Sequence, residues 1–229
     1  MSCQLIQPLS IYDYISLLCV DYRHYSLGKI NERLQSKGID SMNIHPFIDG
    51  QGAILPLFMY NQLSPPPPKT WQHGAPAYSH FSAMKKIIEN AMAKGAKTLL
   101  FTEDDVIFTD DFDRLVVSIH NQLPDDWDMF YYGANHSSAK TKQISENILR
   151  VFDSRCTHCV AIKNTMFEPI LALPADVTID MNIGQRLHPH FNCYAAWPAI
   201  ALQEPNYSYL WYRPVDYTDL FSSKGEEIQ

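Results

Sequence analysis

Glycine is scarce, at nine in 229 residues, and no internal repeat is visible, which excludes collagen-like and glycine-rich linker chains. Long apolar runs are also missing. The longest, such as residues 15–20 and 98–101, are of strand length and fall far short of the roughly 20 residues that cross a bilayer. No basic run occurs, and 18 Lys and Arg against 25 Asp and Glu give a formal charge of −7, which disfavours nucleic acid as a partner. Five cysteines are too few, and odd in number, for a disulfide framework, and they suit free thiols in a reducing compartment. The N-terminus shows no basic stretch leading into an apolar run and a small-residue cleavage site. The expectation is a soluble, cytoplasmic protein, in which the Asn-x-Ser sites at Asn135 and Asn206 carry no glycan.

What is present is a globular composition, 46% hydrophobic and 12% aromatic, enough for the core of one large domain. Apolar runs at residues 15–20, 42–48, 98–101, 127–132 and 158–162 read as strands. Between them, Leu27, Ile30 and Leu34 recur at helical spacing before Gly38, and Tyr78, Phe81, Met84, Ile87, Ile88 and Ala91 form one stripe between Pro76 and Gly95. Phe112, Leu115, Val116 and Ile119 mark a further helix ended before Pro124, and residues 165–173 a short one capped by Asn164. Strands alternating with helices predict an α/β fold around a mostly parallel, mixed sheet. The run Pro65–Pro68 reads as a stiff loop or a partner motif, and residues 222–229 as a flexible tail.

Ligands of such sheets bind beyond the carboxyl ends of the strands, which directs attention to Asp21-Tyr22-Arg23, Asp49-Gly50, Glu103-Asp104-Asp105 and Gly133-Ala134-Asn135. The acidic triplet is the most informative. Carboxylates in an apolar surround are costly unless a cation or donor groups offset them. Glu103 and Asp105, at alternate positions, suit a hard ion such as Mg²⁺ or Mn²⁺, and a solvated acidic turn explains them equally well. A phosphohydrolase with an aspartyl nucleophile is disfavoured: read from Asp104 its second Asp falls on Val106, and read from Glu103 its nucleophile is a glutamate.

Taken in order, these segments resemble glycosyltransferase family 25, the lipooligosaccharide and procollagen galactosyltransferase-like group. Residues 15–23, 29–39 and Phe47-Ile48-Asp49-Gly50 resemble its opening. Ser79-His80 at the head of the long helix resembles its Ser-His segment, and residues 99–108 its acidic strand. Residues 156–162, with Thr157 in register, and 199–208, with Gln203 and Ser208, resemble its later stretches. The likeness spans about residues 14–210. Cys19, Ser26 and Ala75 depart from the family pattern at Asn, Arg and Gly positions.

The resemblance implies a single GT-A domain over residues 1–221, with a Rossmann-like nucleotide-binding half (about 12–110) and an acceptor-side half (about 111–221). It further implies Mn²⁺ or Mg²⁺, a nucleotide-diphosphate sugar donor, a glycan, glycolipid or glycoprotein acceptor, and transfer with inversion. On this basis Asp105, Glu103 and His188, with His190 as alternative, are candidates for the metal. Asp21, Arg23, Asp49, Gly50, Ser79 and Asp104 are candidates for the nucleotide, and Asp180 for the catalytic base, with Asp176 and Glu204 as rivals. A non-catalytic nucleotide-sugar-binding scaffold is the alternative. Three smaller signals stay open. Cys156-Thr157-His158-Cys159 has zinc-like spacing without a second pair, Tyr207, Tyr209, Trp211 and Tyr212 serve sugar stacking or core packing, and His80 belongs to the site or to the core.

Overall fold

The computed structural model describes residues 9–20, 24–39, 43–47, 74–136, 139–208 and 213–228. The chain opens with β1 (Tyr14–Val20), α1 (His24–Gln35), β2 (Asn43–Phe47), α2 (Gly74–Ala93), β3 (Thr98–Glu103), β4 (Val106–Phe108), α3 (Phe112–Gln122) and β5 (Met129–Tyr131). A hairpin follows, β6 (Lys140–Ser145) and β7 (Ile148–Phe152), then β8 (Cys159–Lys163), α4 (Phe167–Leu171), α5 (Ile179–Arg186) and β9 (Cys193–Ala196). Four short strands complete it: β10 (Ala201–Gln203), β11 (Asn206–Ser208), β12 (Arg213–Val215) and β13 (Glu226–Glu227).

Nine strands form one sheet in the order β13-β6-β7-β9-β5-β8-β3-β1-β2, with β4–β10 and β11–β12 as separate antiparallel pairs. Four of the eight pairings in the large sheet are parallel and four antiparallel. Only β7 and β8 run against the rest, so the α/β class and a mixed sheet flanked by helices stand as predicted, while the pairings are evenly divided rather than mostly parallel.

Both faces of the sheet are covered, which is why its central strands read as continuous apolar runs rather than alternations. Leu99, Phe101, Met129, Tyr131, Val160 and Ile162 point to one core, shared with the α2 stripe of Tyr78, Phe81, Met84, Ile87, Ile88 and Ala91 and with Ile179 and Ile183 of α5. Leu17, Leu100, Phe130 and Ala161 point to the other, closed by Ile30 and Leu34 of α1 and by Phe112, Val116 and Ile119 of α3. Gly38 and Gly95, expected to stop α1 and α2, hold φ of 84° and 72°, the left-handed conformation that suits a helix end.

Three local expectations change. Asn164 does not cap the short helix: it begins a 3₁₀ turn, Asn164–Met166, that leads into α4. Pro169 then sits third in α4, where no intrahelical N–H bond is lost. Residues 222–228 are not a free tail. Glu226 and Ile228 donate backbone N–H groups to Ala139 and Thr141, so β13 adds to the edge of β6. Among the described residues no helix is long and apolar enough to cross a membrane.

Candidate functional site

The path from β1 to β2 leaves the sheet centre in one direction, and the return to β3 comes back on the other side of β1. The carboxyl ends of β1 and β3 therefore flank a topological switch point, where doubly wound sheets bind ligands. Glu103 is the last residue of β3, opposite Leu18. α2 descends from this edge, so His80, two turns into it, faces the end of β3. α5 begins at the same edge and carries Asp180 in its first turn.

Glu103 and His80 meet directly, with Nε2 of the imidazole 3.2 Å from Oε1 of the carboxylate. The same Oε1 accepts a hydrogen bond from the Thr157 hydroxyl at 2.8 Å. Burial opposes a charge on His80, but Glu103 above all, with Asp180 and Asp105, raises its pKa above the usual imidazole value. Burial likewise opposes ionisation of Glu103, yet His80, the Thr157 hydroxyl and the His158 ring hold its pKa below the ordinary carboxylate value. The two shifts agree: an imidazolium–carboxylate pair is the favoured state.

Asp105 is held differently. Its Oδ2 accepts from the side-chain amides of Asn206 at 3.1 Å and Gln203 at 3.3 Å. Its backbone carbonyl accepts from the Glu204 N–H at 2.7 Å. Arg33 of α1 fastens this turn by donating to the Val106 carbonyl and to the Glu204 carboxylate. Asp104, between the two acids, is buried, whereas Glu103 and Asp105 are only partly covered.

Asp180 accepts from the Cys156 N–H at 3.5 Å through Oδ2 and from the Met181 N–H at 2.9 Å through Oδ1. Residues 153–157 climb beside α5 to reach it. Asp153 and Cys156 have φ of 93° and 76°, conformations that cost non-glycine residues roughly 1–3 kcal/mol each and gather at functional sites. Gly184 permits the close approach, since a Cβ there would lie 2.6 Å from Asp153 Oδ1. Burial, with the charges of Asp180, Glu103 and Asp105, pushes the Cys156 thiol well above its usual pKa, so it is a poor nucleophile. Cys159 is buried in the core closed by α1 and α3, and its thiol is also pushed up by burial.

The predicted residues divide. The structure sets Glu103 directly against His80, and the charges of Asp180 and Asp105 lie near enough to raise the imidazole pKa. His80 therefore belongs to the site rather than to the core alone. His188 is a correction. It is fully buried, its Nδ1 accepts the Asp153 N–H at 3.2 Å, and its Nε2 lies 2.9 Å from the Tyr131 hydroxyl, so neither ring nitrogen is left for a metal. Burial lowers its pKa to about 3. His190 is exposed just beyond. The rivals of Asp180 are engaged elsewhere, Asp176 with Arg186 at 2.6 Å and Glu204 with Arg33 at 3.3 Å. Asp21, Arg23, Asp49 and Gly50 lie outside the described residues, as does the side chain of Ser79. Asn206 was visible in the sequence only as a glycosylation motif, yet it is a direct partner of Asp105.

Among the described residues no three His, Cys, Asp or Glu side chains are grouped so as to hold a metal ion. A nucleotide-dependent Mg²⁺ or Mn²⁺ site asks for less, drawing one or two carboxylates from the protein and its other ligands from phosphate and water. The hard oxygens of Asp105 fit that demand, while Glu103 is committed to His80 and Thr157.

No protein-family model matches the chain, and no curated protein does. Among solved structures, A197 from STIV overlaps it with a TM-score of 0.40 at 14% identity, covering 84% of this chain and 95% of that one. A glycosyltransferase involved in glycosylation of the major capsid of PBCV-1 overlaps with a TM-score of 0.32 at 14% identity, covering 69% of this chain and 63% of that one. Neither overlap is strong enough to transfer a fold or an activity to this chain.

Proposed function

We propose that the protein is a glycosyltransferase of GT-A type, moving a sugar from a nucleotide-diphosphate donor to a hydroxyl of a glycan acceptor. One observation carries this reading. Polar residues from four separate stretches that resemble family 25, namely His80, Glu103 with Asp105, Thr157 and Gln203, converge on the carboxyl end of β3. Unrelated surface residues have no reason to meet at a switch point.

On this reading Asp105 is the protein ligand of a divalent ion, held in orientation by Gln203 and Asn206. Such an ion supplies Lewis-acid stabilisation of the charge on the departing diphosphate. Asp180, at the same edge, takes the proton of the acceptor hydroxyl. The acceptor oxygen bonds to the anomeric carbon as the bond from that carbon to the diphosphate oxygen breaks, and inversion follows from attack opposite the leaving group. Glu103, fixed by His80 and Thr157, positions rather than reacts. Asp21, Arg23, Asp49, Gly50, Ser79 and Asp104 keep the nucleotide-binding roles that the resemblance assigns.

The test is thermal stability against a panel of nucleoside diphosphates and nucleotide sugars, each with and without Mn²⁺. A ligand at about 100 times its dissociation constant adds about 2.7 kcal/mol, a readily visible shift. A shift that needs Mn²⁺ and is lost in Asp105→Asn supports the transferase. A folded protein that shifts with no nucleotide overturns it.

A further inference from the structure

The segment after β12 runs from the site to the edge of the large sheet. A 3₁₀ turn, Thr218–Ser222, places Phe221 in the interior, 4% exposed, with its ring 5.1 Å from the His158 ring and steeply inclined to it. Beyond the turn, the Lys224 carbonyl accepts the Thr141 hydroxyl at 2.8 Å, and the Lys224 ammonium donates to Gln143 at 2.8 Å. Gly225 has φ of 75°, and a Cβ there would collide with the carbonyl oxygens of both His136 and Ala139.

Two of the residues touched by this segment support Glu103. The His158 carbonyl accepts the Glu103 N–H at 3.0 Å. The His158 ring makes one hydrogen bond, from Nε2 to the Ala201 carbonyl at 3.1 Å, and its buried Nδ1 has no partner among the described residues, so packing against Phe221 sets the ring. His136 Nδ1 lies 2.6 Å from the hydroxyl of Ser154, three residues before Thr157, whose own hydroxyl bonds the Glu103 carboxylate. We infer that residues 218–228 form a strap that positions Glu103, so that lifting the strap from β6 loosens the carboxyl end of β3. The strap acts in this way whether or not the site transfers a sugar. It is also separable from the rest of the fold. β13 is two residues long, pairs with β6 alone through backbone N–H groups, and exposes both of its side chains. Such an edge opens locally at far less than the cost of global unfolding. Docking of the strap and order at Glu103 are therefore linked, and whatever favours one favours the other equally.

Amide hydrogen exchange, resolved by NMR on the full chain, measures the link. The Glu103 N–H is the reporter, Glu226 and Ile228 follow the strap, and Ile87, fully buried in α2, follows opening of the whole domain. Gly225→Val sets a branched side chain against His136 and Ala139 at a left-handed position, and Phe221→Ala empties the space beside His158. In both variants Glu103 is expected to exchange about tenfold faster or more, relative to Ile87, than in the wild type. Phe221→Leu keeps an apolar plug and is expected to stay near the wild type. Ile119→Val, in the opposite core, is the control for a general loss of stability, and there Glu103 should not gain on Ile87. A Glu103 that keeps step with Ile87 in either Gly225→Val or Phe221→Ala overturns the inference, even if Glu226 and Ile228 are freed. Should Phe221→Ala lack a cooperative melt, Phe221→Val makes the same comparison. No nucleotide enters this measurement, so its outcome is separate from the thermal-shift test of the transferase.

Discussion

Glu103 and Asp105 are two residues apart in one turn, yet they are supported in opposite ways. Glu103 depends on ionisable and strained structure. Its partners are the His80 imidazole and the hydroxyl of Thr157, at the end of a segment that carries two left-handed residues. That segment is tied in turn to buried histidines, through the Asp153 N–H on His188 and the Ser154 hydroxyl 2.6 Å from His136 Nδ1. Asp105 depends on amides that do not titrate and on a turn braced by Arg33. Titratable groups support the first acid, and neutral amide donors hold the second.

Acid should break the first side with the largest effect. Burial lowers His188 to about 3 and His136 to about 4, below the value of about 6.5 for an unfolded histidine. A histidine with a depressed folded pKa contributes stability that is present above 6.5 and is lost as pH falls through the folded value. Between pH 6.5 and 4 the loss is on the order of several kcal/mol. His120, lowered to about 4 by burial on the opposite face of the sheet, adds to the same limb. Urea denaturation from pH 7 to pH 4 measures it, and His188→Asn should flatten part of the slope. A pH-independent midpoint over that range would remove the contrast between the two sides.

Truncating the acids should separate stability from binding. Glu103→Ala leaves His80 partly buried without its counter-charge. Breaking a buried pair costs about 3–5 kcal/mol, and the partial exposure of both partners places this one near 3 kcal/mol. Asp105→Ala removes the acceptor of the Asn206 and Gln203 amides and should cost about 1–2 kcal/mol and, on the transferase reading, abolish metal-dependent nucleotide binding. Denaturant titration at constant m-value ranks the first effect, and the thermal-shift panel ranks the second. Equal stability losses would mean that the His80 pair is as solvated as an ordinary surface contact.

Alkaline conditions give a smaller signature with the opposite sign. The folded pKa of His80 is raised, so its contribution is complete below about 6.5 and is lost as pH rises through the folded value. The carboxylate behaves in the reverse manner, because its contribution is present above the unfolded glutamate value of 4.5 and is lost as pH falls through its lowered folded value. Between those limits the pair is intact. The wild type should therefore lose more stability than His80→Gln on passing from neutral to alkaline pH. Parallel curves for the two proteins would show that the pair carries no linked proton.

The sequence made the acids legible but not what holds them. β1 and β3 are buried on both faces and announce themselves as apolar runs, and the α2 stripe follows a helical period without interruption. The β6–β7 hairpin was missed because Lys140–Ser145 alternates charged and polar residues around the buried Thr141, a pattern with little apolar content. β13 was missed because Glu226 and Glu227 owe their place to backbone hydrogen bonds, which no side-chain pattern records. The site follows the same logic. Glu103 and Asp105 stand out locally, whereas Thr157, Gln203 and Asn206 reach them across 54, 98 and 101 residues. The β3–β8 pairing of the large sheet brings Thr157 to Glu103, and the separate β4–β10 pair brings Gln203 and the following Asn206 to Asp105. His188 misled for a related reason: paired with His190 it reads as a ligand candidate until Tyr131 and the Asp153 N–H are seen to occupy it.

The smallest effect concerns the amides and decides whether Asp105 is truly held. Asn206 donates at 3.1 Å and Gln203 at 3.3 Å to the same oxygen, so Asn206→Ala should cost about 1 kcal/mol and Gln203→Ala about half of that. Because both act on one acceptor, a double-mutant cycle between each and Asp105→Asn should show coupling of about 0.5 kcal/mol or more, whereas distant sites simply add. The informative comparison is Thr157→Val, which removes one hydrogen bond of similar length from Glu103 but leaves its charged partner in place. If the amides are the principal support of Asp105, losing both should weaken metal-dependent nucleotide binding more than Thr157→Val does, although the stability losses are alike. If nucleotide binding instead follows stability across all three variants, the amides brace the turn and do not orient the carboxylate.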